Sequence, residues 1–524
     1  MRAWLQDRLR TVISWNIRSL GHLLGVWHNI QVRRFPKKQD QLRDRYGVTQ
    51  TTPIILHGDV LQAKLESSSG PKVQFASTSG SSGTPKRIPY TARRLRQVKW
   101  TYMSAFCRSF AAMKITRTSL YVFSAIDSDD SLTAMMMAER NTTPPYLSTL
   151  QAPYRVHGHP MMRALAEVYG APAVRLWVLV QSNPGSLYAT NPSTLALFMD
   201  QLAQEWDQTT KLVREWAKYP EKFDRQIHRI ARRIESVGAQ GRMQRIAQRL
   251  RPLSFHECVP AVAFLCCWDG GYVRTYLTRV RNHLSEDRVV HLPMYSMSTE
   301  TVETLPHFDT DEIRFLPIAP GVLYEFLPTD SKPASTALLQ PADLKVGQSY
   351  SMVVSDAWGL TRYHTEDVFR VVGMVNNIPD LRFERRLGLS FSFTGEKLSG
   401  DHARFALDVL SHERKDLNGV PWITLVPSVS PKPHYKVLLT ADEPVLGRSR
   451  VEAIVDEALM SINSEYADKR NSGRLGEPHA VCMPFSTALQ TVGGQPPGRN
   501  WEAQFKFLPL VPRTWETLGA AGEE

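Results

Sequence analysis

Leu5, Leu9, Val12, Ile13, Leu20, Leu23, Leu24 and Trp27 recur at helical spacing near the start of the chain, with arginines and polar residues between them. The pattern predicts a helical lead-in over residues 1–45. From about residue 50 to 360, short β-branched runs alternate with helical stretches, the signature of an α/β body. Strands are expected at Ser119–Phe123, Arg175–Val180, Val289–Leu292, Tyr350–Val354 and around Tyr324-Glu325-Phe326. A helix is expected to start at Asn191-Pro192-Ser193, where a turn and a hydroxyl precede the apolar run Thr194–Ala203. Trp216, Phe223, Ile227, Ile230 and Ile234 mark a second basic helical region over 211–251.

Near 373–390 the pattern turns Gly-, Asn- and Pro-rich and charged, and a hinge is expected there. Beyond it come a helix over Gly400–Arg414, strands at Trp422–Val426 and Tyr435–Thr440, and a helix over Arg448–Tyr466. That order reads as a small α+β domain. The predicted organisation is a basic helical lead-in at 1–45, a large domain at 46–390 and a small domain at 391–524.

A chain of 524 residues is too long for one ordinary core. With 42% hydrophobic and 22% charged residues it is globular. No apolar run is long enough to span a bilayer, and the start shows no signal-peptide pattern. Five cysteines, with no C-x-x-C pair, suit reduced thiols and a cytoplasmic setting. The formal charge of +12 is uneven. Residues 1–38 carry eight Lys/Arg against Asp7 alone, and 211–251 carry twelve against four acids. No nucleic-acid partner is expected. A peripheral membrane contact through residues 1–38 is possible for a basic amphipathic helix.

The candidate chemistry starts at Ser77-Thr78-Ser79-Gly80-Ser81-Ser82-Gly83-Thr84-Pro85-Lys86. Glycines at 80 and 83 allow successive N–H groups to face one anion, hydroxyls add donors, and Lys86 adds a positive charge. The spacing is not that of a Walker P-loop. Four further stretches follow in order: Cys267-Trp268-Asp269-Gly270-Gly271, Tyr295-Ser296-Met297-Ser298-Thr299-Glu300, Gly359–Val368, and Phe393-Thr394-Gly395-Glu396-Lys397-Leu398-Ser399.

Taken in that order, the stretches resemble the adenylate-forming superfamily, most closely the Gretchen Hagen (auxin-responsive) acyl acid–amido synthetases and next the phenylacetate–CoA ligase branch. The resemblance spans about residues 45–510. It implies a large N-terminal α/β domain of the adenylate-forming type with a small mobile C-terminal α+β domain. It also implies an ATP- and Mg²⁺-dependent ligase that activates a carboxylic acid as its acyl-adenylate and passes it to an amine, with coenzyme A as the alternative acceptor. A non-catalytic relative that binds nucleotide or an anionic surface is the remaining alternative.

Residue by residue, the resemblance places Thr78, Ser79, Gly80, Ser81, Ser82, Gly83 and Thr84 on the β/γ-phosphates, with Lys86 as counter-charge. Gly270 and Gly271 would flank adenine and Tyr295 would stack on it. Thr299 would contact the α-phosphate, Glu300 would hold Mg²⁺, and Asp367 would accept from the ribose. Arg385 or Arg386 and Gly395–Lys397 would lie at the hinge, and Lys506 would be the mobile lysine that reaches the acyl-phosphate oxygens. Tyr324-Glu325-Phe326 and Asn191-Pro192-Ser193 favour an amine acceptor. Ser124–Asp130 and Met135-Met136-Met137 are candidates for the acyl pocket. Lys86 and Glu300 are expected to be exposed in a cleft. Two residues depart from the family pattern, His364 in place of Arg and Glu366 in place of Gly.

Overall fold

The computed structural model describes residues 2–67, 73–77, 86–115, 119–123, 132–137, 159–189, 192–270, 274–284, 288–294, 296–309, 312–329, 338–394, 396–441, 447–493 and 507–520. They fall into two compact units, the first built up to Phe383 and the second chiefly from Glu384 on.

The first unit contains a parallel sheet of four strands in the order Leu120–Phe123, Ser186–Ala189, Phe264–Cys267 and Val290–Pro293. The two inner strands are buried at every position, which is why they read as continuous apolar runs rather than alternating ones. Cys266 and Cys267 are part of this buried core, and all five cysteines are free.

The expected strand at Arg175–Val180 is instead part of a helix, Ala171–Ser182. This helix is buried along nearly its whole length. Apolar residues on all sides hide the helical period, so a short window of them cannot be told from a strand. Arg175 is tolerated inside because its guanidinium lies 5.2 Å from the Phe123 ring centroid and 5.8 Å from that of Phe198.

An antiparallel sheet follows, in which Leu323–Pro328, Ser349–Ser355, Tyr363–Val375 and Ile378–Arg386 pair in sequence. The stretch expected as a hinge contains the boundary between the two units, Phe383/Glu384, and is paired strand through Arg386. Its Gly/Asn pattern marks a hairpin turn, with Asn376 and Asn377 at φ 49° and 61°.

The lead-in is one helix, Arg2–Arg33, then a second, Phe35–Arg45, with Pro36 in its first turn. From Gly21 onward the lead-in is integral to the first unit. A Cβ at Gly21 would lie 2.0 Å from the Cys107 carbonyl oxygen, so the helix rests directly on the Ala92–Ala112 helix. Val32 and Phe35 join the core beside Tyr102 and Tyr324. Gln39 donates to the Val322 carbonyl at 3.0 Å and accepts from the Tyr324 N–H at 2.9 Å. The second basic region is three helices, Trp206–Lys218, Arg225–Ile234 and Ala239–Ala247, with Ile227, Ile230 and Ile234 turned inward.

In the second unit Ile423–Ser428 and His434–Leu439 pair antiparallel, and His479–Cys482 adds in parallel. The helices Gly400–Glu413 and Arg448–Ile462 contribute Ala406, Leu410, Val451 and Val455 to one core with Leu425 and Val437. The second helix stops at Ile462, short of the expected Tyr466. Asn463 takes an extended backbone, and its side chain caps the next helix by accepting from the Tyr466 N–H at 3.0 Å.

Candidate active site

The strands Gln74–Ser77 and Arg87–Tyr90 pair antiparallel, Ser77 opposite Arg87. The glycine-rich stretch connects them. Thr78, Ser79, Gly80, Ser81, Ser82, Gly83 and Thr84 lie outside the described residues, as do Gly271, Tyr295 and Lys506. Lys86, at the far end of the stretch, is described. It is the centre of a polar cluster.

The Lys86 amine donates to the Tyr363 hydroxyl at 3.1 Å and to Glu366 Oε2 at 3.3 Å. Glu300 Oε1 stands 3.8 Å from the same nitrogen. Tyr363 in turn donates to Glu300 Oε1 at 3.4 Å. One cation, one phenol and two carboxylates therefore meet in a single hydrogen-bonded group. Its members come from three separate parts of the chain.

Contrary to expectation, Glu300 is buried, with 2% of its surface exposed, and Lys86 is largely covered. The turn that carries Thr299 and Glu300 is clamped from below. Tyr90 donates its hydroxyl to the Thr299 carbonyl at 2.8 Å. Arg94, also buried, donates to the Glu300 carbonyl at 2.7 Å and to Asp356 Oδ2 at 3.3 Å. A buried arginine with its donors spent on carbonyls and a carboxylate is a rigid strut.

A second acidic group adjoins through the chain. Glu303 is fully buried, accepts from the Ser296 hydroxyl, and is hydrogen-bonded to Asp367. Burial first, then the charge and hydrogen bond of Asp367, push the Glu303 carboxyl well above the usual range. Glu303 therefore favours its neutral form beside Asp367.

His364 donates or accepts at Ser351 Oγ, 2.9 Å away, while its Nδ1 has no hydrogen-bond partner among the described residues. Burial lowers its pKa, so it sits neutral in place of the family's arginine. Glu366 occupies a left-handed backbone conformation at φ 65°. Glycine takes that conformation freely, whereas a side chain there costs about 1–2 kcal/mol.

Other expected positions prove structural or lie elsewhere. Glu325 forms a buried bidentate pair with Arg362, both contacts at 2.9 Å, and Tyr324 donates to the Val302 carbonyl at 2.7 Å. Phe326 is core. The Tyr324–Phe326 strand thus spends its polar atoms inside the fold. Pro192 begins the expected helix and Ser193 is buried in it. Met135 and Met136 pack against the cluster of Ile88, Tyr90 and Leu95, whereas Ser124–Asp130 lies outside the described residues. Gly270 is described, half-buried, three residues past the Phe264–Cys267 strand.

The second unit holds Arg385 and Lys397. Arg385 Nε is 3.6 Å from Asp401 Oδ2. Lys397 is exposed, with φ 47°, and its N–H donates to Ser392 Oγ at 3.2 Å. The anchor of this turn is Glu396, one of the residues expected at the hinge. Glu396 accepts from the Phe393 and Thr394 N–H groups at 2.7 and 2.8 Å and from the Tyr435 hydroxyl at 2.7 Å. Burial alone would raise its pKa, but these donors outweigh burial and lower it.

Tyr363, Glu303, Tyr90 and Arg94 were not named as site residues. Tyr363 lies inside the quoted Gly359–Val368 stretch, so a signal existed. Nothing local distinguishes Glu303 from a solvated glutamate.

Two models of one family match the chain: the GH3 family N-terminal domain over residues 55–289 and the GH3 family central domain over 315–386. Together they span more than half of it. The chain belongs to the GH3 family. Both matches lie mostly within the first unit's part of the chain. A GH3 relative from Oryza sativa subsp. indica, an indole-3-acetic acid-amido synthetase, is 37% identical over 97 residues, which cover 18% of this chain and 16% of that protein. A human GH3 domain-containing protein is 38% identical over 89 residues, covering 17% of this chain and 15% of that one. The matched segments are therefore a small part of each relative's length. The fold agrees throughout with a solved acyl acid amido synthetase in complex with 2,4-DB. The TM-score is 0.73 at 14% identity, over 97% of this chain and 96% of that one.

Proposed function

We propose that this GH3 protein is an adenylate-forming ligase that joins a carboxylic acid to an amine, most simply an amino acid. The observation that supports this reading is the Lys86 group: the cation ending the glycine-rich stretch meets Glu300, Tyr363 and Glu366 beside Asp367.

The donor set suits a nucleotide triphosphate and Mg²⁺. Lys86 offers a positive charge to phosphoryl oxygens. Asp367 offers a carboxylate to the paired hydroxyls of a ribose. Among the described residues no group of three or more acids, histidines or cysteines could hold a metal unaided. Magnesium needs no such cage, because one carboxylate plus substrate phosphates suffices, and Glu300 supplies the carboxylate. Bound ATP would supply the α-phosphorus that a carboxylate attacks as pyrophosphate leaves, and an amine would then take the acyl group as AMP leaves.

The residues of the chain act by position. Tyr90 and Arg94 hold the Thr299–Glu300 turn rigid, so Thr299 presents its hydroxyl and backbone where negative charge grows. Tyr363 fixes Lys86 and Glu300 relative to one another. Glu303, whose carboxyl is pushed up by burial and by Asp367, offers a neutral side chain behind Asp367. Gly270, Gly271 and Tyr295 are proposed for the adenine, Thr78–Thr84 for the terminal phosphates, and Lys506 as the mobile lysine. Arg385 and Lys397 are proposed for the hinge.

The test is exchange of labelled pyrophosphate into ATP across a panel of aromatic and aliphatic acids, followed by amino acids or coenzyme A. Exchange with an amide product by mass spectrometry supports the reading. A thioester with no amide would replace amine by coenzyme A, and a folded protein that exchanges with no acid would overturn it.

A further inference from the structure

The Arg2–Arg33 helix has two apolar faces, and only one of them is buried. Gly21, His28 and Val32 face inward against the first unit. His28 stacks on His307 with ring centroids 5.4 Å apart. Ile17 and Leu24 are half-buried, and seven apolar residues are open to solvent: Val12 at 58%, Trp15 at 69%, Leu23 at 70% and Val26 at 64% exposure, with Leu20, Trp27 and Ile30 each above 40%.

These exposed residues form a stripe. At about 100° per residue, Val12, Leu23 and Ile30 fall within about 20° of one line, and Trp15, Leu20, Val26 and Trp27 flank it within about 80°. Gly21, His28 and Val32 lie on the opposite side, about 160–200° away. A helix whose outer stripe is as apolar as its inner one has an unmet partner.

Charge identifies the partner. The only acid in residues 1–38 is Asp7, against eight Lys/Arg. Arg33, Arg34 and Lys37 are exposed where the stripe ends. A second copy of the chain laid on this stripe would bring two strongly basic segments together, which like-charge repulsion opposes. An anionic bilayer surface offers the opposite charge and an apolar interior. No described helix is long and apolar enough to cross a membrane, so this one would lie in the plane. Trp15 and Trp27, on the two edges of the stripe, suit the headgroup level, where an indole satisfies both its ring and its N–H. We infer that the outer face of the Arg2–Arg33 helix docks the protein on anionic lipid, with Trp15, Leu23 and Val26 entering the interface and the basic cluster at its end binding headgroups.

The test uses the full chain and vesicles of phosphatidylcholine alone or with about 30% phosphatidylserine. Co-sedimentation is expected only with the anionic vesicles, weakening as salt rises. Brominated lipid should quench tryptophan fluorescence. The triple variant Trp15→Ser, Leu23→Ser, Val26→Ser should bind about tenfold or more weakly, with an unchanged melting curve because all three side chains are exposed. A second variant, Arg33→Gln, Arg34→Gln, Lys37→Gln, should lose the salt-dependent part of binding. Binding to neither vesicle, or equal binding by wild type and both variants, would overturn the inference. So would a concentration-dependent dimer that the serine variant abolishes, since a second copy would then cover the stripe.

Discussion

Glu303 and Asp367 face one another inside the first unit with a hydrogen bond between their carboxyl groups. Because burial and Asp367 raise the Glu303 pKa, the folded protein holds a proton that the unfolded chain releases near the ordinary glutamate value, about 4.3. Its contribution to stability is full below that value and is lost as pH rises toward the folded pKa. Glu303→Gln keeps a neutral donor there and removes the titration. The wild type should therefore lose melting temperature relative to Glu303→Gln between pH 5 and 9. Parallel curves would rule out a raised Glu303 pKa.

Lys86→Ala should slow adenylation by about 30- to 1000-fold, the effect of ~2–4 kcal/mol from one lost transition-state contact. It should also destabilise the fold, because it leaves the buried Glu300 with Tyr363 but without its cation. An unpaired buried charge costs about 3–5 kcal/mol at most, less here because Glu366 and Lys86 are partly exposed. Pyrophosphate exchange and urea denaturation on the same samples separate the two losses. A wild-type exchange rate would remove Lys86 from the mechanism.

Glu366→Gly should improve nucleotide use. Glu366 both strains the backbone and pairs with the lysine proposed to meet phosphate. Glycine removes the strain and one competing carboxylate. The KM for ATP should fall about three- to tenfold, corresponding to ~0.6–1.4 kcal/mol, while kcat changes little. A raised KM would mean that Glu366 helps bind the nucleotide rather than competing with it.

Arg362→Met should destabilise the fold by breaking the buried pair with Glu325. It leaves the buried Glu325 carboxylate with only the longer Arg43 contact at 3.7 Å and removes a donor to the Thr52 carbonyl at 2.7 Å. A loss of about 3–5 kcal/mol is expected by denaturant unfolding. Replacing both partners, Arg362→Met with Glu325→Leu, should recover part of it. If Glu325→Gln instead leaves stability intact and abolishes amide formation alone, Glu325 belongs to acceptor binding.

Local spacing was enough to predict the outer strands, the C-terminal helix and strand order, and the lead-in helix. In each case one face or one short period governs side-chain burial, and that period is written in neighbouring residues. The motif order likewise pointed to Lys86, Glu300 and Asp367, because chemistry that needs hydroxyls, a lysine and carboxylates leaves them at recognisable spacings. Tertiary structure decided what periodicity could not. The Ala171–Ser182 helix is apolar on every side, so nothing in its sequence sets a direction. The hinge-like Asn376-Asn377 became a hairpin turn only because Tyr363–Val375 and Ile378–Arg386 pair. Glu300 and Glu303 look alike in the chain. Only packing brings one beside a lysine and the other beside a second acid, and in a low-dielectric interior those neighbours determine which carboxyl keeps its proton.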